Sequence, residues 1–162
     1  MCEIRPIEPH QVAAAKALIY RVAHQVFQDS RSLDESIAFY EGQRQLHDMD
    51  DVQRTYFDNR GVFLVMWNGD ELIGTGAIRR IDDEICELKR LWLLSEFHGR
   101  GLGYQMTQAL LGFARQQGYR KIRLETDRSH QQRAYDFYKR LGFYEIARYS
   151  DNEEDAAMEM QL

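Results

Sequence analysis

The stretch "RLWLLSEFHGRGLGYQM", residues 90–106, decides the fold, because its large apolar residues give way to three alternate glycines and then to an apolar pattern with helical spacing. Glycines between a strand and the first turn of a helix let the backbone approach a ligand closely, and the unpaired amides of the helix terminus point outward. The pattern therefore predicts a phosphate-binding loop, to which His98 and Arg100 add positive charge or hydrogen-bond donors. A tight turn without a ligand is the alternative. The glycines are Gly99, Gly101 and Gly103.

The spacing of these glycines argues against two familiar nucleotide-binding loops. The dinucleotide fingerprint is Gly-x-Gly-x-x-Gly, whereas this segment has Gly-x-Gly-x-Gly. No Gly-Lys-Ser/Thr follows to hold the phosphates and magnesium of a nucleoside triphosphate. Neither class of nucleotide-binding loop therefore fits this segment.

Composition is that of one globular domain, with 162 residues, 44% of them apolar and 29% charged. We therefore expect a single domain over residues 1–162. The formal net charge of -5 gives no broad attraction for nucleic acid. The N-terminus lacks the apolar segment of a signal peptide and no stretch has the length of a membrane span, so we expect a cytoplasmic protein without a nucleic-acid or membrane partner.

The cysteines and histidines do not form a metal-binding pattern. Cys2 and Cys86 have no nearby partner motif, and the histidines are dispersed along the chain. We therefore expect no metal. A reduced compartment suits the two cysteines, although a disulfide between them stays open.

Hydrophobic periodicity predicts helices and strands in alternation. A strand, helix, strand order around residues 85–127 requires a right-handed crossover between parallel strands, whereas turn residues at 68–70 and 82–83 predict antiparallel neighbours. The fold class is therefore α/β of the α+β type, with a mixed, mostly antiparallel six- to seven-stranded sheet flanked by helices. The predicted strands are 3–7, three strands within 61–94, 120–127, 143–149 and 155–162, and the predicted helices are 9–27, one or two within 32–59, 102–118 and 129–143.

Two motifs resemble those of the GNAT superfamily of N-acetyltransferases. The stretch "ELKRLWLLSEFHGRGLGYQM", which begins at Glu87, resembles the fourth strand and the pyrophosphate loop, Gln/Arg-x-x-Gly-x-Gly/Ala, of that superfamily. The stretch "QQRAYDFYKRLGF" resembles its helix Asn-x-x-Ala-x-x-Phe/Leu-Tyr-x-x-x-Gly-Phe. His98 stands where the family has Gln or Arg, and Gln131 stands where it often has Asn, but both side chains still donate hydrogen bonds.

The resemblance implies acetyl-coenzyme A (acetyl-CoA) as the cosubstrate and a primary amine as the acceptor, with direct attack in a ternary complex. A small-molecule amine is the expected acceptor, because the compact chain carries no targeting module. Homologous positions imply that the contacts with acetyl-CoA come from Leu91, Trp92, Leu93, His98, Gly99, Arg100, Gly101, Leu102, Gly103, Tyr104, Gln131 and Ala134.

Two catalytic residues are implied by the same resemblance. An ammonium must lose a proton before it attacks, so the reaction needs a base. Glu87 matches the general base of some members of the family. It lies four residues before Leu91, and we expect the two side chains on the same face of the strand. A salt bridge between Glu87 and a nearby cation, with a water chain as the base, is the alternative. Tyr138 matches the general acid that protonates the departing thiolate. The backbone amide of Leu93 matches the family's donor to the thioester oxygen.

The sequence leaves several alternative functions open. A non-catalytic module that binds or senses acyl-CoA would keep the glycine loop, and a protein or peptide N-acetyltransferase would use the same chemistry. Acyl length is open, and a homodimer is possible. The acidic stretch "HDMDD", residues 47–51, either attracts a cationic acceptor or is a solvated face or helix start.

Overall fold

The computed structural model describes residues 1–152, 154 and 156–162. Within that part of the chain, the helices are α1 (Val12–Val26), α2 (Leu33–Gly42), α3 (Val52–Thr55), α4 (Leu102–Gln116) and α5 (Gln132–Leu141). The strands are β1 (Cys2–Pro6), β2 (Val62–Asn68), β3 (Glu71–Arg80), β4 (Ile85–Leu93), β5 (Lys121–Thr126), β6 (Tyr144–Ile146) and β7 (Ala156–Gln161).

The strands form one seven-stranded sheet in the order β1-β2-β3-β4-β5-β7-β6. The pairing of β4 with β5 is parallel, and the other pairs of described strands are antiparallel. The predicted mixed, mostly antiparallel sheet is therefore confirmed, and so is the parallel pair on either side of α4. The centre of the sheet is the core of the molecule, where the fully buried side chains include Phe63, Met66, Ile73, Ile78, Leu110 and Ile122.

Helices α1 and α4 both pack against β3 and β4. The buried face of α4 includes Met106 and Leu110, which share one side of the helix because they are four residues apart. Gly76 of β3 allows this close approach, since a Cβ there would lie 2.8 Å from Leu110 Cδ1. None of the helices in the described part of the chain has the length and apolar character needed to cross a membrane.

A bulge interrupts β4 just beyond its middle. Ala77 pairs with Lys89, and the next pair on β4 is at Trp92, so Arg90 and Leu91 stand together opposite a single residue of β3. Arg90 adopts a left-handed backbone conformation with φ of 55°. A bulge of this kind bends the strand and increases its twist.

The bulge shows that the expectation of Glu87 and Leu91 on the same face of β4 is wrong. Glu87 precedes the bulge and pairs with Arg79, whereas Leu93 follows the bulge and pairs with Gly74. The extra residue shifts the alternation of side chains, so Glu87 projects from one face of the sheet and Leu91 and Leu93 project from the other. Counting along the sequence assumed a regular strand and therefore placed Glu87 on the wrong face.

Helix α4 begins at Leu102, as the periodicity predicted, whereas α1 and α5 begin later than predicted. The first turn of the helix predicted over residues 9–27 is a 3₁₀ turn at Pro9–Gln11, and α1 begins only after it. The helix predicted from residue 129 begins at Gln132, because the Asp127 carboxylate accepts hydrogen bonds from the Ser129 hydroxyl and the His130 amide. Such side-chain bonds compete with the helical backbone pattern.

The polar segments agree with the prediction in part. Residues 32–59 contain two helices, α2 and α3, as predicted, with a 3₁₀ turn at His47–Met49 between them. The strand predicted over residues 143–149 ends at Ile146, as β6. The last predicted strand began at Asp155, which lies outside the described residues, and β7 covers the rest of it.

Candidate active site

A cavity of about 540 Å³ lies where β4 has parted from β5. The two strands pair from Ile85 only as far as Glu87, whose partner on β5 is Arg123. Beyond this pair β4 continues to Leu93 without another partner on β5 among the described residues. The cavity is lined by the end of β4, the glycine-rich segment, and residues of α1, α4 and α5.

Most of the residues predicted to contact acetyl-CoA line this one cavity. They come together although they are distant in sequence, because β4 and the loop after it face the start of α5. Arg100 and Glu87 are not among the lining residues. The predicted residues that line the cavity are Leu91, Trp92, Leu93, His98, Gly99, Gly101, Leu102, Gly103, Tyr104, Gln131, Ala134 and Tyr138.

The glycine-rich segment has the geometry of an anion-binding loop. Gly99 and Gly101 have φ of 79° and 77°, a region that favours glycine, and Gly101 is the N-cap of α4. A Cβ on either of them, or on Gly103, would meet no atom within 4 Å, so the backbone is open to a ligand. The first helical bond of α4 runs from the Gln105 amide to the Gly101 carbonyl, which leaves the three intervening amides without helical partners.

The two polar residues of the loop have different positions. His98 lines the cavity, and its Nε2 lies 2.9 Å from the Leu93 carbonyl oxygen, so the ring connects the loop to the end of β4. The Arg100 guanidinium instead donates to the Glu96 carbonyl at 3.2 Å and lies 5.1 Å from the centroid of the Phe97 ring. A phosphate contact by the Arg100 side chain therefore requires a different rotamer from the one observed.

Tyr138 lies on the cavity face of α5 and is 7% exposed. Its ring packs against Phe137 and Phe143, with centroid separations of 5.6 and 5.7 Å. Burial raises the pKa of the Tyr138 phenol above its ordinary value. The hydroxyl is therefore protonated at neutral pH.

Glu87 lies on the opposite face of the sheet and is 4% exposed. Its Oε1 accepts a 3.0 Å hydrogen bond from Arg79 and lies 3.8 Å from Lys89 Nζ, while its Oε2 accepts a 2.6 Å hydrogen bond from the Tyr149 hydroxyl. Burial, together with the Glu87 carboxylate, raises the pKa of the Tyr149 phenol. Burial also lowers the pKa of the Lys89 ammonium, although Glu87 opposes this effect. Both oxygens of Glu87 are thus hydrogen-bonded within the protein.

Sequence reasoning missed several residues of the cavity. Arg133 and Arg140 lie on one face of α5 with Phe137, at spacings of four and three residues, a helical pattern that the sequence contains. Phe137 itself is assigned from the sequence to structure or cofactor packing. His130 precedes this helix, and its Nδ1 lies 2.9 Å from Asp127 Oδ2. The missed residues on the other elements are Val22, Val26, Met66, Gly74 and Met106, for which only the tertiary structure gives a signal.

Comparisons with known proteins agree with this architecture. The Acetyltransferase (GNAT) family profile matches residues 31–143. A crystal structure of an acetyltransferase from Streptococcus agalactiae 2603 superposes with a TM-score of 0.82 at 23% identity, over 99% of this chain and 98% of that one. The PaiA N-acetyltransferase of Thermoplasma acidophilum, in complex with coenzyme A, gives 0.79 at 19% identity over 100% and 99% of the two chains.

The curated relatives share sequence over part of their length. N-acetyltransferase 8F1 of Rattus norvegicus is 33% identical over 101 residues, which are 59% of this chain and 45% of that protein. N-acetyltransferase 8 of Mus musculus is 35% identical over 102 residues, or 59% and 44% of the two chains. The matched region thus spans about half the length of these relatives. Because the family profile covers most of the chain, from α2 through α5, the chain belongs to the acetyltransferase (GNAT) family.

Proposed function

We propose that the chain catalyses transfer of an acetyl group from acetyl-CoA to the primary amine of a small molecule, by direct attack in a ternary complex. The observation that carries this proposal is the open glycine-rich loop, whose unpaired helix amides face the same cavity as Tyr138. The family membership and the coenzyme A bound to the Thermoplasma acidophilum relative support it.

The residues that line the cavity fit an acyl-CoA ligand. The amides at the start of α4 suit a pyrophosphate, because the dipole of the helix adds positive potential to these donors. Arg133 and Arg140 supply positive charge along one wall. Leu91 and Leu93 supply apolar surface for the pantetheine arm, and the Leu93 amide is the proposed donor to the thioester oxygen. Bound acetyl-CoA would supply the activated acetyl group.

Glu87 is the proposed base that removes a proton from the acceptor amine. It lies on the opposite face from the cavity, at the last pair before β4 and β5 separate. An amine can therefore approach through the gap between the strands from the side opposite acetyl-CoA. To bind Glu87, the amine would replace the Tyr149 hydroxyl, which now donates to Oε2 at 2.6 Å.

Tyr138 is the proposed acid that protonates the departing sulfur. The phenol is protonated at neutral pH, so it can donate a hydrogen bond to the sulfur and then transfer its proton as the thiolate forms. An apolar setting, with Phe137 and Phe143 against the ring, reduces competition from water for this proton.

A turnover assay with a panel of acceptors tests the proposal. Thiol release from acetyl-CoA is measured with small amines, amino acids and peptides, using the wild type, Tyr138→Phe and Tyr135→Phe. Tyr135 is the matched control, because it lies on the same helix but its hydroxyl donates to Glu145 at 2.9 Å. We expect kcat to fall about a hundredfold in Tyr138→Phe alone.

The other outcomes distinguish the alternatives. Binding of acetyl-CoA without release to any acceptor would support an acyl-CoA sensing module. Release only with peptides would support a peptide N-acetyltransferase. Equal rates for wild type and Tyr138→Phe would contradict the role of Tyr138.

A further inference from the structure

Asp48 and Arg90 form a buried ion pair on the face of the sheet away from the cavity. Their side chains are 2% and 18% exposed. Arg90 Nη2 lies 2.5 Å from Asp48 Oδ1 and its Nε lies 3.0 Å from Oδ2, so the contact is bidentate. The Tyr56 hydroxyl donates to Oδ2 at 2.5 Å, and the Gln45 carbonyl accepts from Arg90 at 3.1 Å. Asp48 of the acidic stretch is therefore neither a solvated residue nor a surface for a cationic acceptor.

Arg90 is also the residue that makes the bulge in β4. Its φ of 55° is uncommon for a residue with a side chain, and the surroundings of Arg90 stabilise this conformation. Two sets of contacts do so here. Asp48 and Gln45 hold the guanidinium, and the Thr75 hydroxyl donates to the Arg90 carbonyl at 2.7 Å.

The bulge decides which residues of β4 reach the cavity. Without the extra residue, regular alternation would put Leu91 and Leu93 on the face that carries Glu87. With it, Leu91 and Leu93 line the cavity, and the Leu93 carbonyl lies 2.9 Å from the His98 ring. The conformation of Arg90 thus places both the wall of the cavity and an anchor of the glycine-rich loop.

We propose that Asp48 and Arg90 are positioning residues for the cavity, and that they connect the segment between α2 and α3 to the end of β4. Neither residue lines the cavity itself, so they act through the backbone of residues 91–93. The part of this proposal that concerns coenzyme A rests on the function proposed above. The position of β4 itself does not depend on that function.

The same segment contains a matched pair that lacks this role. Arg44 lies 3.1 Å from Asp50, and their side chains are 72% and 52% exposed. Arg44 also has a φ of 55°. Arg44 thus shares charge, an aspartate partner and backbone conformation with Arg90, but its pair is exposed and Arg44 does not lie on a strand.

The experiment compares three proteins with the wild type. Arg90→Lys keeps the charge but loses the bidentate geometry. The double variant Asp48→Leu/Arg90→Met removes both charges together, which leaves no unpaired buried ion and favours retention of the fold. Arg44→Met is the control. The measurements are thermal melting, coenzyme A affinity by calorimetry, and amide hydrogen exchange of peptides spanning residues 88–97.

We expect the double variant and Arg90→Lys to melt cooperatively, to bind coenzyme A about tenfold more weakly, and to exchange about tenfold faster over residues 88–97. Arg44→Met should match the wild type in all three. Affinity and exchange within about twofold of the wild type in the folded variants would overturn the inference. Unfolding of both variants would also overturn it, because the pair would then stabilise the whole fold.

The same measurements distinguish failure of the proposed function from failure of the positioning role. If the wild type itself does not bind coenzyme A, the acyltransferase proposal fails, and the exchange of residues 88–97 alone decides the role of the pair. If the wild type binds and only the two pair variants lose affinity, both proposals are supported.

Discussion

The two faces of the sheet around β4 are built in different ways. On the cavity face, the glycine-rich loop and the apolar residues Leu91 and Leu93 leave backbone donors and surface open to a ligand. On the opposite face, charged side chains bind one another. Arg79 bonds Glu87 at 3.0 Å, and Asp48 bonds Arg90 at 2.5 Å.

For the proposed reaction, this difference predicts different routes for the two ligands. The cavity is already formed, so an anionic ligand requires little rearrangement to enter it. The charged face is closed by its own hydrogen bonds, so an amine that reaches Glu87 has to displace a partner such as Tyr149. We therefore expect mutations in the loop to act on coenzyme A binding, and mutations on the charged face to act on stability and acceptor turnover. The pair of Asp48 and Arg90 is the exception, because it also acts on coenzyme A binding through the bulge in β4.

The largest effect expected is on the charged face, for Asp48→Asn. The change leaves the buried Arg90 charge uncompensated and should lower the free energy of unfolding at pH 7 by about 3 kcal/mol. Burial alone would raise the pKa of Asp48, but the hydrogen bonds and charge of Arg90 outweigh it and hold the pKa below its ordinary value. A carboxyl group whose pKa is lowered by folding contributes its full stabilisation above its pKa in the unfolded chain, which is about 4 for aspartate. This stabilisation is lost as the pH falls through the pKa of the group in the folded protein.

The measurement is urea unfolding of the wild type and Asp48→Asn at pH 7 and pH 3, with Asp70→Asn in the exposed β2–β3 turn as the control. The difference between wild type and Asp48→Asn should shrink at pH 3. A difference that is the same at both pH values would show that the carboxylate charge does not stabilise the fold.

Gly101→Val should have the next largest effect, and it acts on the cavity face. The side chain strains a φ of 77° and projects into the open loop, so coenzyme A should bind about a hundredfold more weakly by calorimetry. Gly118→Val is the matched control, with a φ of 85° and equally open surroundings at the far end of α4. Equal losses of affinity in the two variants would mean that backbone strain, and not the loop, accounts for the effect.

Glu87→Gln should lower kcat about tenfold at neutral pH and leave the affinity for acetyl-CoA unchanged. The amide keeps the size of the side chain but removes its basicity. The control is Glu84→Gln, whose carboxylate is 66% exposed and lies 3.8 Å from Arg120. Unchanged kcat in Glu87→Gln would assign the proton transfer to a water chain, and a change in acetyl-CoA affinity would break the separation of the two faces.

The smallest effect is expected for Arg140→Gln on the wall of the cavity. Loss of one exposed charge should weaken coenzyme A binding about threefold at low salt and less at high salt. Arg115→Gln at the exposed end of α4 should leave binding unchanged. Titrations at two salt concentrations measure both, and a loss that does not depend on salt would exclude an electrostatic contribution.

Local patterns in the sequence predicted the cavity face well. The glycines, the start of α4 and the position of Tyr138 on α5 depend on short spacings, so a motif is enough to place them. Arg133 and Arg140 lie at the same helical spacing as Phe137 and could have been predicted in that way. The later start of α5 was not predicted, because its side-chain bonds leave no periodic signal. The lining residues of α1, β2 and β3 were not predicted either, because only the tertiary structure brings them to the cavity.

The charged face could not be predicted, since its contacts join distant parts of the chain. Asp48 meets Arg90, and Glu87 meets Tyr149, and neither contact leaves a pattern in the sequence. The bulge in β4 depends on the contact between Asp48 and Arg90. A regular strand was therefore the natural expectation, and it placed Glu87 on the face of Leu91.

Calorimetry of the wild-type protein with coenzyme A tests the central claim most directly, because it asks whether the glycine-rich loop and its cavity form a coenzyme A site. We predict saturable binding of one molecule per chain with a Kd of about micromolar order. The absence of binding at millimolar coenzyme A would contradict the account.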